Sequence, residues 1–321
     1  MRGWNCYMLN EITERLKRQI SEYFVGKSDV TDKLLICLLA GGHVLLEDVP
    51  GVGKTTLAKT LASSVDMSFG RIQFTPDTLP GDVVGSSVFN MKTSEFEYRE
   101  GAIQRQIILA DEINRTSPKT QSALLEAMAE GSVTVDGTVY KLPEPFMVIA
   151  TQNPVEFIGT FPLPEASLDR FMMRLSLGYP EQEEELRMVR NFLEGKKTDD
   201  IKSICTAEDI MNLRREVEKV QIKDNVIEYA RNIIDMTRKE PSFVLGASSR
   251  AFLYLIRAAQ ADAFLQGRDY VKPDDVKDVA VCTLHHRLSL TSEAKIKKEN
   301  VDSILKAMIL KVKVPMEKLK D

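Results

Sequence analysis

The segment LLEDVPGVGKTTLAKTLA (45–62) constrains this chain more than any other stretch. An apolar run passes into a glycine-rich loop, and the loop passes into Lys54, Thr55 and a helical stretch. Gly51 and Gly53 let the backbone turn tightly enough for its N–H groups to face phosphate oxygens. A helix N-terminus there adds a favourable dipole. The expected phosphate-binding set is Pro50, Gly51, Val52, Gly53, Lys54, Thr55 and Thr56. Lys54 would reach the β and γ phosphates of ATP, and the Thr55 hydroxyl would ligate Mg2+. The full pattern wants a glycine where this chain has Asp48, so the local match is good but incomplete. A loop that merely resembles a phosphate cradle is the alternative.

A second motif bears on that alternative. QIILADE (106–112) ends an apolar strand on Asp111 and Glu112, well downstream of the loop. An acid at such a strand tip can hold Mg2+ through water, and the next can orient and polarise an attacking water. Two acids capping a buried strand is the bland reading. The two motifs together point to binding and hydrolysis of ATP with Mg2+.

The rest of the chain suggests two domains. At 321 residues each could bury its own core. In the first half, apolar segments HVLLE (43–47), RIQF (71–74), QIILADE (106–112) and FMVIAT (146–151) alternate with helical stretches, with a further strand near 175–177. This is an α/β pattern with a mostly parallel sheet. From Glu181 onward the periodicity is almost wholly helical, near 182–193, 207–219, 224–239, 247–266, 273–287 and 299–312. The boundary is expected near Pro180, giving an α/β core over 1–180 and a helical domain over 181–321. Asp136-Gly137 in SVTVDGTVYKL (132–142) reads as a two-residue hairpin turn, pairing Val135 with Thr138 and Val133 with Tyr140.

Composition excludes several classes. A net charge of −4 gives no global pull toward nucleic acid or anionic lipid. The N-terminus lacks an apolar signal core, and the run Leu34–Leu46 is short and broken by Gly41 and Gly42. A cytoplasmic protein with no membrane span is expected. Cys6, Cys37, Cys205 and Cys282 are widely spaced and read as buried or free thiols. His285 and His286 are adjacent on a helical stretch and face different ways, which argues against a metal site.

The run ILADEINRTSPKTQSALLEAMAEGSVTVDG (108–137), with RIQFTPDTLPGDVVG (71–85), TQNPVE (151–156) and LPEASLDRF (163–171), resembles the MoxR branch of the AAA+ ATPases. The resemblance covers nearly the whole chain. Its small departures are Asp48, Ala102 and Gln104-Arg105, of which only Asp48 touches the chemistry. It implies a P-loop NTPase core followed by an all-α lid, with Asn153 as the sensor 1 amide near the attacking water. For Asn153 an Asx turn before Pro154 is the alternative. Arg170 resembles the arginine finger that reaches a neighbour's ATP, with a salt bridge to Asp169 or Glu165 as the alternative. Arg250 resembles sensor 2, touching ATP from the lid side, against a plain surface arginine. Arg115 is a looser candidate for a subunit interface. Residues 82–101 look like the insert interrupting helix 2, and 132–142 like the hairpin before sensor 1.

The resemblance further implies a ring, commonly a hexamer, and a chaperone-like remodeller of protein clients working with a von Willebrand factor A domain protein. A nucleic-acid motor and a slow nucleotide-gated switch are the alternatives. The hairpin tip Asp136-Gly137-Thr138 carries no cation for phosphate contacts, which disfavours the motor.

Overall fold

The computed structural model describes residues 6–49, 51–153 and 159–315. Helices α1 (Cys6–Tyr23) and α2 (Ser28–Leu39) lead into β1 (Val44–Glu47), and α3 (Lys54–Ser64) follows the glycine-rich loop. After β2 (Phe69–Gln73) and α4 (Pro80–Val84) comes a hairpin of β3 (Gly85–Asn90) and β4 (Glu95–Glu100). Next are β5 (Ile107–Asp111), α5 (Pro118–Glu130) and a second hairpin of β6 (Ser132–Val135) and β7 (Thr138–Lys141). β8 (Met147–Gln152), α6 (Glu165–Leu168) and β9 (Met173–Leu175) complete the α/β part.

Five of these strands pair in parallel in the order β2-β5-β8-β1-β9. The side-chain period of two sends alternate residues to opposite faces. Leu46, Leu109 and Ile149 join one buried cluster, while Leu45, Ile108 and Val148 join another. Both faces are covered, which is why the strands read as near-continuous apolar runs.

The remaining chain is helical: α7 (Gln182–Leu193), α8 (Ala207–Glu218), α9 (Asp224–Lys239), α10 (Ser249–Leu265), α11 (Pro273–Leu284), α12 (Ser292–Ile296) and α13 (Val301–Lys311). A two-stranded ribbon of β10 (Phe243–Leu245) and β11 (Ser289–Leu290) interrupts it, a small departure from the all-α expectation. Segments of two and three residues are too short to leave a periodic trace in sequence. The buried cluster on the α2 face runs on through α8–α11, so the helical part shares a core with the α/β part.

The last sheet strand lies two residues earlier than expected. Ser176, Leu177 and Gly178 leave the ladder because their hydroxyl and N–H groups turn to the Asp48 carboxylate. The hairpin pairing Val133 with Tyr140 and Val135 with Thr138 is as expected, with Asp136 and Gly137 both at positive φ. The 82–101 segment forms α4 and the β3–β4 hairpin. The two hairpins touch where Tyr98 stacks on Tyr140 at 3.8 Å.

Cys37, Cys205 and Cys282 are free thiols whose pKa values burial raises, the last two to about 12 and about 11. Among the described residues, no helix is long and apolar enough to cross a membrane.

Candidate nucleotide site

In a parallel sheet every strand ends at the same edge. Here β1, β8 and β5 are consecutive neighbours, so the loop after β1, Asp111 at the end of β5 with Glu112 just beyond it, and Asn153 after β8 meet at one rim. The glycine-rich loop turns through Gly51 at φ +85° and Gly53 at φ +89°, values that side-chain-bearing residues rarely adopt. Gly53 caps α3 with no side-chain acceptor, so the helix's first-turn N–H groups stay available to an anion. Val52 is buried and anchors the loop, and Thr55 and Thr56 stand half-buried in the first turn of α3. Pro50 lies outside the described residues.

Lys54 donates from Nζ to the Asp48 carbonyl at 2.7 Å. Burial pulls its pKa down, opposed by the carboxylates of Asp48, Asp111 and Glu112. The lysine thus sits in the field of both strand-tip acids. Asp48 itself points its carboxylate away from the loop: Leu177 N–H at 2.6 Å, Ser176 Oγ at 2.8 Å and Gly178 N–H at 3.0 Å all donate to it.

Asp111 Oδ1 accepts from Thr151 Oγ1 at 2.6 Å, and Oδ2 accepts from Arg71 at 2.7 Å. Glu112 adopts φ +56° and ψ +48°, the left-handed region, where a non-glycine residue is strained. Its N–H donates to Thr151 Oγ1 at 2.9 Å, which helps hold that conformation. Glu112 Oε2 accepts from Gln73 at 2.9 Å and Arg115 at 3.0 Å. Asn153 is buried at the same rim, with its carbonyl 3.5 Å from Asn114 Nδ2. Arg115 therefore faces Glu112 of its own chain. Thr151, Gln73 and Arg71 carry much of this geometry and were not singled out by sequence. Each lies within a segment quoted above, but only strand adjacency shows that it meets an acid.

The donor set suits Mg2+. A hydroxyl and a carboxylate are hard oxygen ligands, and Mg2+ usually takes one or two protein oxygens plus phosphates and water. Among the described residues, no group of three or more His, Cys, Asp or Glu side chains could hold a metal alone.

Arg170 and Arg250 lie elsewhere. Arg170 follows α6 and precedes β9, and the neighbouring Met172 N–H donates to the His43 carbonyl just before β1. Arg170 is thus at the amino edge of strands whose carboxyl edge carries the phosphate loop, about 13 Å away along the four residues of β1. Among the described residues, its guanidinium makes no ion pair or hydrogen bond. The alternatives are taken: Asp169 accepts from Arg287 Nε at 2.8 Å and Ser248 Oγ at 2.9 Å, and Glu165 accepts from Ser289. Arg250, in the first turn of α10, reaches Asp169 at 3.8 Å. The structure therefore groups Arg250 with Arg170, not with the loop of its own chain.

His43 and His286 are structural. His43 Nε2 donates to the Met128 carbonyl at 3.1 Å while Nδ1 accepts from Val148 N–H at 3.0 Å, and burial lowers its pKa to about 4. Phe171, Met172 and Met173 are buried, as their apolar character suggests.

A glycine-rich loop, an acid pair one strand beyond its neighbour, an amide on the strand between and a helical lid define a P-loop protein of the AAA+ class. The family model for the ATPase family associated with various cellular activities (AAA) matches residues 43–173, and that for the AAA lid domain matches 235–308. The chain is 50% identical over 310 residues to the uncharacterized protein YeaC of Bacillus subtilis, covering 97% of each. It is 37% identical to Chaperone MoxR1 of Mycobacterium tuberculosis, over 94% of this chain and 82% of that one. A crystal structure of a candidate ATPase from Cytophaga hutchinsonii superposes with a TM-score of 0.90 at 39% identity, covering 97% of each chain. The chain belongs to the MoxR family of AAA+ ATPases.

Proposed function

We propose that this protein is an Mg2+-dependent ATPase that works as a ring, with each active site completed by a neighbouring subunit. The observation that carries the reading is the separation of two half-sites. Lys54, Thr55, Asp111, Glu112 and Asn153 share one edge of the sheet, and Arg170, without an ion pair among the described residues, lies at the other. Arg71 and Arg115 at this rim are engaged by Asp111 and Glu112, and a second copy bringing its Arg170 edge to this loop would supply a further cation for the phosphates.

In this reading, loop N–H groups and Lys54 hold the phosphates of ATP. Mg2+, held by Thr55 and Asp111, would neutralise phosphate charge. Glu112 takes the proton of the attacking water, and the Asn153 amide helps place that water. Arg170 of the neighbour neutralises charge on the transferring phosphoryl group, with Arg250 carried on the same edge.

Exposed apolar surface supports assembly and a protein client. On α7, Val189, Phe192 and Leu193 face outward while Arg187 and Asn191 donate to carbonyls of α1. On the β3–β4 hairpin, Phe89 packs on Phe96 at 5.3 Å, and both are exposed beside Met91. Such a tip suits apolar polypeptide better than phosphate backbone. With the family resemblance, this favours chaperone-like remodelling or maturation of protein complexes; the cytoplasmic hexamer and the von Willebrand factor A domain partner rest on that resemblance alone.

Addition of single- or double-stranded DNA at physiological salt tests the choice of client. The ATPase rate should not change. Strong stimulation that vanishes as salt rises would instead favour a nucleic-acid motor.

A further inference from the structure

The segment that carries Arg170 is fastened to the lid chiefly through one buried side chain, which makes several of its hydrogen bonds. Arg287 follows α11 in a short 3-10 turn, and its side chain is 2% exposed. Its Nε donates to Asp169 Oδ1 at 2.8 Å, and Nη2 donates to the carbonyls of Asp169 at 3.1 Å and Phe171 at 2.6 Å. Nη1 donates to the Met172 carbonyl at 3.3 Å and also to the Thr283 carbonyl of its own helix. The neighbouring His286 adds Nε2 to the Phe171 carbonyl at 2.9 Å. Backbone on both sides of Arg170 is therefore gripped by one guanidinium, whose planar fork fixes direction as well as distance.

The lid touches the same segment at further points. Ser248 at the start of α10 donates to Asp169 at 2.9 Å, and the Tyr254 hydroxyl lies 3.5 Å from the Arg170 carbonyl. The Arg287 guanidinium in turn sits 5.2 Å above the Tyr254 ring. Arg170 itself is the exception in this cluster, since among the described residues its own guanidinium makes no ion pair. Its backbone is fixed, while its half-buried side chain is not tied down by any of these contacts. Positioning a charged group in advance removes ordering entropy from the reacting complex.

We propose that Arg287 is a positioning residue for Arg170: it fastens the finger segment to the lid, so that lid placement in one subunit sets the reach of Arg170 into the next. This rests on the trans reading of Arg170 given above. A merely structural Arg287 would damage folding or its own subunit's pocket. The positioning role places the defect in the neighbour's pocket.

The experiment mixes variant subunits in rings verified by native mass spectrometry. Arg287→Met and Arg170→Ala are each combined with Glu112→Gln. Alone, Arg287→Met should bind ATP within a few-fold of wild type and lose at least tenfold in hydrolysis. Mixed with Glu112→Gln it should regain activity, because its intact pocket then meets an intact finger segment. If the Arg170→Ala mixture recovers and the Arg287→Met mixture does not, Arg287 serves its own pocket and the positioning role is wrong. Wild-type turnover in Arg287→Met overturns it equally. If neither mixture recovers, the trans reading fails and this inference falls with it. Should Arg287→Met not fold, Asp169→Asn loosens the same grip from the core side and carries the same comparison, with a smaller loss expected.

Discussion

Asp48 Oδ2 accepts a hydrogen bond from the Leu177 N–H at 2.6 Å, tying the start of the phosphate loop to the exit of β9. Ser176 and Gly178 complete the contact, so the residue that breaks the glycine pattern is a strut between two strand ends. Asp48→Gly, which restores the pattern, should therefore harm the protein. Loss of these bonds should cost about 2–4 kcal/mol of stability, while ATP affinity does not improve. Denaturant unfolding and equilibrium ATP binding check both parts. A variant as stable as wild type would show that the strut contributes nothing.

The two strand-tip motifs should separate binding from turnover. Lys54→Ala removes a charge-assisted contact to phosphate and should lose most ATP affinity. Glu112→Gln leaves Lys54, Thr55 and Asp111 in place, so it should bind ATP and fail to turn it over. Near wild-type hydrolysis by Glu112→Gln would show that the proton acceptor lies elsewhere.

Acid should destabilise the fold partly through His43. Buried among Met128, Val148 and Phe146, it titrates at about 4 when folded, against about 6.5 in an unfolded chain. Between those values the unfolded chain binds a proton that the folded one refuses. Stability present above pH 6.5 is therefore lost as pH falls toward 4, by about 3 kcal/mol for this group. His43→Gln keeps a donor and an acceptor but cannot titrate. Its unfolding free energy, followed from pH 7 to 4, should decline less steeply than that of wild type. An unchanged slope would exclude His43 from the acid response.

Much of this architecture was legible because its signals are local. A glycine pair before Lys54, an apolar run ending on Asp111-Glu112 and Asp136-Gly137 between β-rich arms each report on their own neighbourhood. α7 and α9 match their helical periodicity to the residue. What sequence could not supply depends on which strands are neighbours. Thr151 meets Asp111 only because β8 lies beside β5, and Arg71 and Gln73 meet the acids only because β2 lies on the other side. The placement of Arg250 beside Asp169 follows from how α10 packs on the core, a long-range relation with no periodic trace. The shift of β9 has the same origin, in the pull of the distant Asp48.

In the proposed ring the active site exists only between subunits, and one measurement tests this directly. Arg170→Ala subunits keep an intact pocket and offer no finger; Glu112→Gln subunits offer the finger and have a dead pocket. Each alone should be inactive, with Arg170→Ala losing roughly 10³-fold or more in hydrolysis while binding ATP within a few-fold of wild type. ATPase activity is then measured on the two variants co-assembled in one ring. Recovery is the expected result, because some boundaries pair an intact pocket with an intact finger. Co-assembled rings that stay inactive would contradict the account.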